Sequence, residues 1–185
     1  MGANASNAML FLVTTLFDLA LWVFLLRVIL QWVRADFYNP ISQLIWKATR
    51  YPTDWLRRFV PSAGNLNLAA GLVVAALTLA YVYTVVGLLG FSVTTLSALW
   101  FAALKLLVVV VNLYTFTIFV QAILSWLGPG VNNPASNILW SMNEPLLRPA
   151  RRVLSPLSGL DLSPLIVILL LQVLNRLLPL PGIFR

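Results

Sequence analysis

Apolar residues fill four long runs of the chain, and most polar residues lie between these runs. The runs cover about residues 8–33, 68–89, 96–126 and 163–177. A helix needs roughly 20 apolar residues to cross the hydrocarbon core of a bilayer, where its backbone must satisfy its own hydrogen bonds. The pattern therefore predicts an all-α integral membrane protein with four transmembrane helices, of which the last is short.

Composition agrees with this class and removes most catalytic chemistry. Of the 185 residues, 61% are hydrophobic and 9% are charged, whereas about a quarter of a typical soluble domain is charged. The chain has no cysteine and no histidine, which excludes disulfides, thiolate or imidazole metal sites, histidine bases and the usual haem ligands. Nucleotide-binding and hydrolase motifs are absent as well. We expect a protein that is not an enzyme and needs no cofactor or metal.

The chain repeats itself at an offset of 94 residues, which carries Asn39 onto Asn133. The offset also aligns other apolar, proline, tryptophan and arginine positions: Ile29 with Ile123, Leu30 with Leu124, Trp32 with Trp126, Pro40 with Pro134, Trp46 with Trp140, and Arg57-Arg58 with Arg151-Arg152. We therefore expect two tandem repeats, residues 1–90 and 91–185, each made of a span, an amphipathic loop and a second span. Two spans per repeat give both copies the same orientation, so a pseudo-twofold axis along the membrane normal should relate them.

The two amphipathic loops, residues 34–67 and 127–162, each open with an Asn-Pro pair. Asparagine is a good N-cap and proline suits the first position of a helix, so a short helix should begin at each pair. Its apolar face is expected to hold Ile41, Leu44, Ile45 and Ala48 in the first loop and Ala135, Ile138, Leu139 and Met142 in the second. Trp46 and Trp140 suit a membrane interface. Proline-bounded turns and the arginine pairs should follow.

Positive charge is concentrated in these loops, which carry Arg34, Lys47, Arg50, Arg57, Arg58, Arg148, Arg151 and Arg152. The positive-inside rule places both loops in the cytoplasm and both termini in the periplasm. The net charge of +7 then reflects this asymmetry and attraction to anionic headgroups, and we expect no direct binding of nucleic acid. The loops could serve only as anchors, or they could form a docking surface for lipid headgroups or for other membrane proteins.

Polar residues inside the spans are costly and are candidates for functional sites. They are Asp18, Arg27, Lys105, Asn112, Gln121, Gln172 and Asn175. Asp18 and Arg27 point to opposite sides of one helix, so Asp18 should meet Lys105, Asn112 or Asn175 across the bundle, although Lys105 could also snorkel to the outer surface. Asp18 would then belong to a structural polar network, form an ion or proton site, or lie exposed near the headgroups.

Short polar signals mark the other boundaries. Ser163 is expected to cap the fourth span, with Pro164 at its first position and Asp161 helping to cap or turn the chain. Asp36 should assist the turn before the first amphipathic helix.

The segments LLRVILQWVRADFYNPISQLIWKATR, LRRFVP, NNPASNILW and EPLLRPARRVLSPLSGLDLSP closely resemble the bacterial YggT family, also called YlmG. The resemblance covers nearly the whole chain. It implies a small membrane protein of the bacterial inner membrane, or of the thylakoid, without established catalysis. Bacterial members are linked to osmotic or ion-stress tolerance. The first copy departs from the family pattern at residues 65–69 (NLNLA) and at Tyr51, so its turn into the second span is expected to differ from the turn into the fourth.

Two functions remain open. The chain could be an assembly, scaffold or stress-tolerance factor that acts through membrane-protein partners. Alternatively, it could be a small transporter or channel that uses the intramembrane polar residues. Four helices enclose little volume, so a transporter would need a homo-oligomer, and a homo-oligomer is compatible with the first function as well.

Overall fold

The computed structural model describes residues 3–60, 67–126, 133–153 and 161–185, and these residues form six α-helices and one 3-10 turn without any strand. The helices are α1 (Ala3–Trp32), α2 (Pro40–Leu56), α3 (Leu68–Leu88), α4 (Thr95–Trp126), α5 (Pro134–Val153) and α6 (Ser163–Leu177), followed by the turn Gly182–Phe184. Each half of the chain thus has a long apolar helix, an amphipathic helix and a further apolar helix.

Three helices are long and apolar enough to cross a membrane: Asn4–Trp32 in α1, Leu68–Leu88 as α3, and Thr95–Ser125 in α4. Their positions agree with three of the predicted runs and confirm that the described chain is all-helical, with three helices that fit a membrane protein. The fourth run forms α6, an apolar helix of 15 residues. At about 1.5 Å per residue, α6 alone is too short to cross about 30 Å of hydrocarbon.

The four apolar helices pack in an arc in which α1 contacts α3, α3 contacts α4 and α4 contacts α6. Small buried side chains allow the close approach of α3 and α4, because Ala98 and Ala102 of α4 pack beside Val82 and Val85 of α3. Among the described residues, α1 and α6 have no comparable contact, so the arc is open between them.

The segment after α6 folds back onto the bundle. Phe184 is 2% exposed and packs against Tyr81 and Phe101, with its backbone oxygen accepting a hydrogen bond of 3.2 Å from the Tyr81 hydroxyl. The segment from Leu178 onward therefore fills the part of the bundle that the short α6 does not reach.

Asparagine side chains accept hydrogen bonds from backbone N–H groups in the first turns of α2 and α5, as the sequence predicts for Asn39 and Asn133. Asn39 Oδ1 accepts from Ile41 N at 2.9 Å and Asn133 Oδ1 accepts from Ser136 N at 2.7 Å. The expected role of Ser163 as N-cap is wrong, because its own backbone N–H donates to Asp161 Oδ1 at 2.9 Å.

The cap of α3 is built in the same way as that of α6. Asn67 Oδ1 accepts from Ala69 N at 3.0 Å, and Asn67 stands 94 positions before Asp161. The entry into α3 therefore uses the same local contact as the entry into α6, although the sequences differ. The turn expected to differ at residues 65–69 lies partly outside the described residues, which resume at Asn67. Asp36 accepts from Tyr38 N at 2.9 Å and supports the predicted turn before α2.

The amphipathic helices are longer than the sequence suggested. Within the described parts of the two loops, the expected proline-bounded turns do not form, because α2 continues through Pro52 and α5 continues through Pro145 and Pro149. A proline inside a helix removes one backbone hydrogen bond and leaves a carbonyl without its donor. All three prolines lie on the exposed side of their helices, where solvent or headgroups can satisfy the carbonyl.

The buried face of α2 also differs from the prediction. Leu44 and Ala48 are exposed, whereas Ser42, Ile45, Thr49 and Thr53 face the bundle. Small hydroxyl side chains suit this position because they allow close helix packing and bond to backbone carbonyls within their own helix. The apolar stripe therefore lies to one side of the buried face, where Leu44 and Ala48 remain exposed. In α5 the prediction holds better, since Ile138 and Met142 are both buried.

We expect Asn39→Ala to destabilise the protein more than Asn67→Ala does. Both substitutions remove an N-cap, at a cost of about 1 kcal/mol. Asn39 also donates from Nδ2 to Pro134 O at 2.6 Å, so its loss should cost about 1 kcal/mol more. Denaturant unfolding of both variants in the same detergent measures the difference, and equal destabilisation would contradict a role for Asn39 in joining α2 to α5.

Candidate functional site

The amphipathic helices α2 and α5 lie side by side at one end of the bundle and form a single surface, called here the α2/α5 platform. Their first turns are joined by the hydrogen bond from Asn39 to the backbone oxygen of Pro134. α2 packs against α1 and α3, and α5 packs against α4 and α6. The two Asn-Pro elements that the sequence singled out therefore meet in space.

The exposed side of the platform is aromatic and basic. Large apolar side chains stand out from it, with Tyr51 at 86%, Trp55 at 61% and Trp140 at 54% exposure. Arginine stacks on both predicted interfacial tryptophans, because Arg50 lies 5.3 Å from the ring centre of Trp46 and Arg151 lies 4.8 Å from that of Trp140. Such contacts combine a fixed positive charge with an amphipathic ring, a composition typical of a membrane interface.

The two arginine pairs have different surroundings, although the 94-residue offset aligns them. Arg57 and Arg58 are both exposed at the end of α2, and the backbone N–H of Arg57 closes the helix. In the second half only Arg152 is exposed to the same degree. Arg151 instead binds two carboxylates. The tertiary structure thus leaves three of these four arginines available to a ligand or partner.

Arg151 connects α5 to the start of α6 through its two acidic neighbours. Its Nη1 lies 2.7 Å from Glu144 Oε2 and its Nε lies 2.8 Å from Asp161 Oδ2. Partial burial would raise the pKa of Asp161, but hydrogen bonds from Arg151 and Ser163 outweigh it and hold this pKa below its ordinary value. The ionised Asp161 therefore joins the first residue of α6 to Arg151 of α5.

Each amphipathic helix also forms a hydrogen bond with a polar side chain of the preceding apolar helix. Arg27 of α1 donates from Nη1 to Thr49 Oγ1 at 2.8 Å. Gln121 of α4 accepts at Oε1 from Asn143 Nδ2 at 2.8 Å. The 94-residue offset relates Arg27 to Gln121, and it also relates Thr49 to Asn143. Two predicted intramembrane polar residues thus serve as attachment points.

An ion pair lies deeper in the bundle, between α1 and α4. Lys105 Nζ is 2.8 Å from Asp18 Oδ1 and 4.3 Å from the ring centre of Tyr81. The pairing of Asp18 with Lys105 across the bundle agrees with one of the expected partners. Snorkelling of Lys105 is wrong, since its side chain is only 2% exposed, while that of Asp18 is 37% exposed. Here the buried cation is neutralised within the chain.

The remaining predicted polar residues join α4 to α6. Asn175 Nδ2 donates to Asn112 Oδ1 at 2.6 Å, and Arg185 Nη1 donates to Asn175 Oδ1 at 3.1 Å. Gln172 makes a longer contact of 3.4 Å with Thr115 and is otherwise exposed. Side-chain amides of this kind hold membrane helices together, at about 0.6 kcal/mol per contact.

Sequence reasoning missed the partners of these residues. Thr49, Asn143 and Tyr81 were not predicted as site residues, although Thr49 and Asn143 are polar residues that share the 94-residue offset. A comparison restricted to polar pairs at that offset could have found the first two. In the described part of the chain, no group of three or more acidic residues could hold a metal ion.

Comparisons with known proteins agree on one family. The family model described as CCB3/YggT matches residues 6–89 and 100–181. The chain is 39% identical to a protein of Escherichia coli strain K12 named "Uncharacterized protein YggT", over 91% of this chain and 88% of the relative. It is 38% identical to a Vibrio alginolyticus protein named "Uncharacterized protein in proC 3'region", over 93% and 94% of the two chains. No solved structure matches the chain.

We expect Asp18→Asn to destabilise the protein by about 2–4 kcal/mol, because it leaves the buried Lys105 ammonium without its counter-ion. Adding Lys105→Met should recover much of this loss, since the double variant removes both charges. A double-mutant cycle of unfolding free energies in detergent measures the coupling. Additive effects of the two substitutions would show that the two charges do not depend on each other.

Proposed function

The chain belongs to the CCB3/YggT family, and we propose that it is a non-catalytic protein of the bacterial inner membrane that assembles or scaffolds other membrane proteins. The observation that carries this proposal is the α2/α5 platform, a continuous aromatic and basic surface held rigidly on an apolar bundle. A surface of this kind can bind anionic headgroups and membrane-protein partners together. A role in osmotic or ionic stress tolerance would then depend on those partners.

We infer that the bundle crosses the membrane four times. The segment after α6 extends the 15-residue helix toward the far side of the bilayer by packing Phe184 between α3 and α4. The two segments matched by the family model, 6–89 and 100–181, fall on either side of the proposed repeat boundary at residues 90 and 91. In this arrangement the platform is cytoplasmic, and both termini and the turn between α3 and α4 are periplasmic.

The platform suits a position at the membrane surface because α2 divides its side chains among three environments. Ser42, Ile45 and Thr49 face the bundle, Leu44 and Trp55 face outward on the apolar side, and the charged residues take the remaining side. A helix with this division lies flat at the boundary between headgroups and acyl chains. The exposed arginines then reach the anionic headgroups, which contribute about 1 kcal/mol for each basic residue near the surface.

The interior supports a scaffold more than a transport path. Lys105 and Asp18 neutralise each other, and large side chains such as Tyr81 and Leu113 fill the bundle, both almost fully buried. Polar residues in the spans therefore act as contacts between helices. The open side of the arc between α1 and α6 leaves apolar faces that a second copy of the chain could cover, so a homo-oligomer is part of this proposal.

A second candidate function is a small oligomeric ion or solute transporter. The observation that favours it is the partial exposure of Asp18, which is 37% exposed at the middle of α1. Asp18→Asn in reconstituted vesicles separates the two functions. Flux of potassium, sodium or protons that depends on Asp18 would support transport, and the absence of any flux in the unmodified protein would exclude it.

We expect the four-span arrangement to appear in cysteine labelling, for which this cysteine-free chain is a ready background. Single substitutions Lys47→Cys, Ser92→Cys and Ile183→Cys place thiols at exposed positions on the platform, in the α3–α4 turn and after α6. A membrane-impermeant maleimide added to intact cells with a permeabilised outer membrane should label positions 92 and 183. Position 47 should react only after the inner membrane is opened. Labelling of position 183 together with position 47 would contradict a spanning α6.

We expect the triple substitution of Arg57, Arg58 and Arg152 by Gln to release membrane-protein partners without unfolding the chain, because these arginines are exposed. The measurement is quantitative co-purification after in vivo cross-linking, with unfolding in detergent as the test of integrity. Arg151→Gln is the contrasting control, since Arg151 is engaged with Glu144 and Asp161 and its loss should lower stability. Unchanged partners in the triple variant would remove the main support for docking.

A further inference from the structure

A pocket of about 550 Å³ lies between the end of α1 and the first half of α2. This volume falls within the range of small-ligand sites, which is about 300–1,000 Å³. Four polar side chains and two aromatic ones form most of its wall: Arg27, Gln31, Arg34, Ser42, Phe37 and Trp46. The pocket was not predicted from the sequence, which treated Arg27 only as one polar residue within a span.

Arg27 is a buried cation that forms no salt bridge with the described residues. It is 4% exposed. Its Nη1 donates to Thr49 Oγ1 at 2.8 Å and to Trp46 O at 3.4 Å, but its Nε has no hydrogen-bond partner. None of the ion pairs in the described part of the chain includes Arg27. A guanidinium removed from water is costly unless it is paired with an anion. Lys105, the other buried cation of the bundle, has such an anion in Asp18.

Two neighbouring side chains in the same pocket also have unused polar atoms. Gln31 Oε1 and Ser42 Oγ are buried and make no hydrogen bond. Buried polar groups in proteins are nearly always paired, so three of them around one cavity indicate a ligand with several polar atoms. A guanidinium offers two parallel donors and a serine hydroxyl offers one more, a set that suits a tetrahedral oxyanion.

A second guanidinium reaches the pocket through an unusual backbone conformation. Arg34 has a φ of +54°, in the left-handed region that normally favours glycine. It ends α1 in a Schellman-type turn, in which Ala35 N donates to Leu30 O at 2.9 Å. An arginine at this position disfavours the turn compared with glycine, yet it brings its side chain to the pocket wall.

The second half of the chain shows that attachment of the amphipathic helix does not require a charge. At the positions of Arg27 and Thr49 it has Gln121 and Asn143, which bind each other at 2.8 Å. Asn143 Oδ1 also accepts from Thr117 Oγ1 at 2.9 Å, which closes a neutral network. The contact that attaches the amphipathic helix therefore does not need the positive charge of Arg27.

We propose that this pocket binds the phosphate group of an anionic ligand, with Arg27 and Arg34 as its cationic partners and Ser42 as a further donor. Two sources offer this chemistry, namely the headgroup of an anionic phospholipid and a free phosphate ion. Phe37 and Trp46, whose rings lie 6.1 Å apart in a T-shaped contact, provide an apolar wall that a lipid could also use. Binding in detergent does not depend on the proposed scaffold function, so each can fail without the other.

The test uses the purified full-length protein in a neutral detergent and follows its thermal unfolding midpoint. The probes are dioleoylphosphatidylglycerol, inorganic phosphate and zwitterionic dioleoylphosphatidylcholine. We expect the anionic lipid to raise the midpoint at concentrations where phosphatidylcholine has little effect. A response to inorganic phosphate as well would identify the free ion as a sufficient ligand, whereas a response to the lipid alone would identify the headgroup as the source.

The decisive variant is Arg27→Gln with Thr49→Asn, which copies the neutral pair of the second half. It should weaken binding of the anionic probe by about ten- to hundred-fold, the effect expected when a charge-assisted hydrogen bond is lost. Without any probe it should be at least as stable as the unmodified protein, because a buried unpaired charge has been removed. Arg176→Gln, an exposed arginine of α6 outside the pocket, is the charge-matched control and should respond as the unmodified protein does.

Ser42→Leu provides an independent variant, because it fills the pocket while the contact of Arg27 with Thr49 remains. It should lose the response to the anionic probe as well, and it decides the matter if the paired variant does not fold. The proposal is overturned if neither anionic probe changes the midpoint, if phosphatidylcholine acts as strongly as phosphatidylglycerol, or if the folded pocket variants respond as the unmodified protein does.

Discussion

Polar side chains on otherwise apolar helices hold the two amphipathic helices against the bundle. In hydrocarbon a polar group without a partner is costly, and the partners within reach of Arg27 and Gln121 are provided by α2 and α5. This requirement fixes which side of each amphipathic helix turns inward. The hydrogen bond between Asn39 and Pro134 then joins the two helices into one platform.

The side of α2 that faces the bundle also determines which of its other side chains are exposed. Thr49 must face α1, so Ser42 and Thr53 face the bundle with it, and the apolar stripe that includes Leu44 is left exposed beside the bundle. The same arrangement leaves Pro52, Pro145 and Pro149 exposed. Long helices can tolerate prolines at such exposed positions.

The two halves of the chain meet the same structural requirement with different electrostatics. The second half closes a neutral network around Asn143, whereas the first half keeps a buried guanidinium at Arg27 beside a pocket. A similar difference separates the arginine pairs, because Arg151 is neutralised by Glu144 and Asp161 while Arg57 and Arg58 remain exposed. At positions related by the 94-residue offset, the second half therefore pairs its polar groups within the chain, whereas the first half leaves a guanidinium beside a pocket and two arginines exposed.

Three long apolar helices, the Asn-Pro helix starts and the pairs of related positions could be predicted from the residues alone, because hydrophobic runs and caps depend on residues close together in the chain. It did not determine how far α2 and α5 extend past their prolines, since tolerance of a proline depends on which side of the helix is exposed. The packing of the helices was needed to show that Arg27 lies in a pocket, that Asp18 pairs with Lys105 and not with Asn112 or Asn175, and that Arg151 is paired while Arg152 is exposed. Each of these outcomes depends on which polar group lies across the bundle, and that distance is not encoded in local spacing.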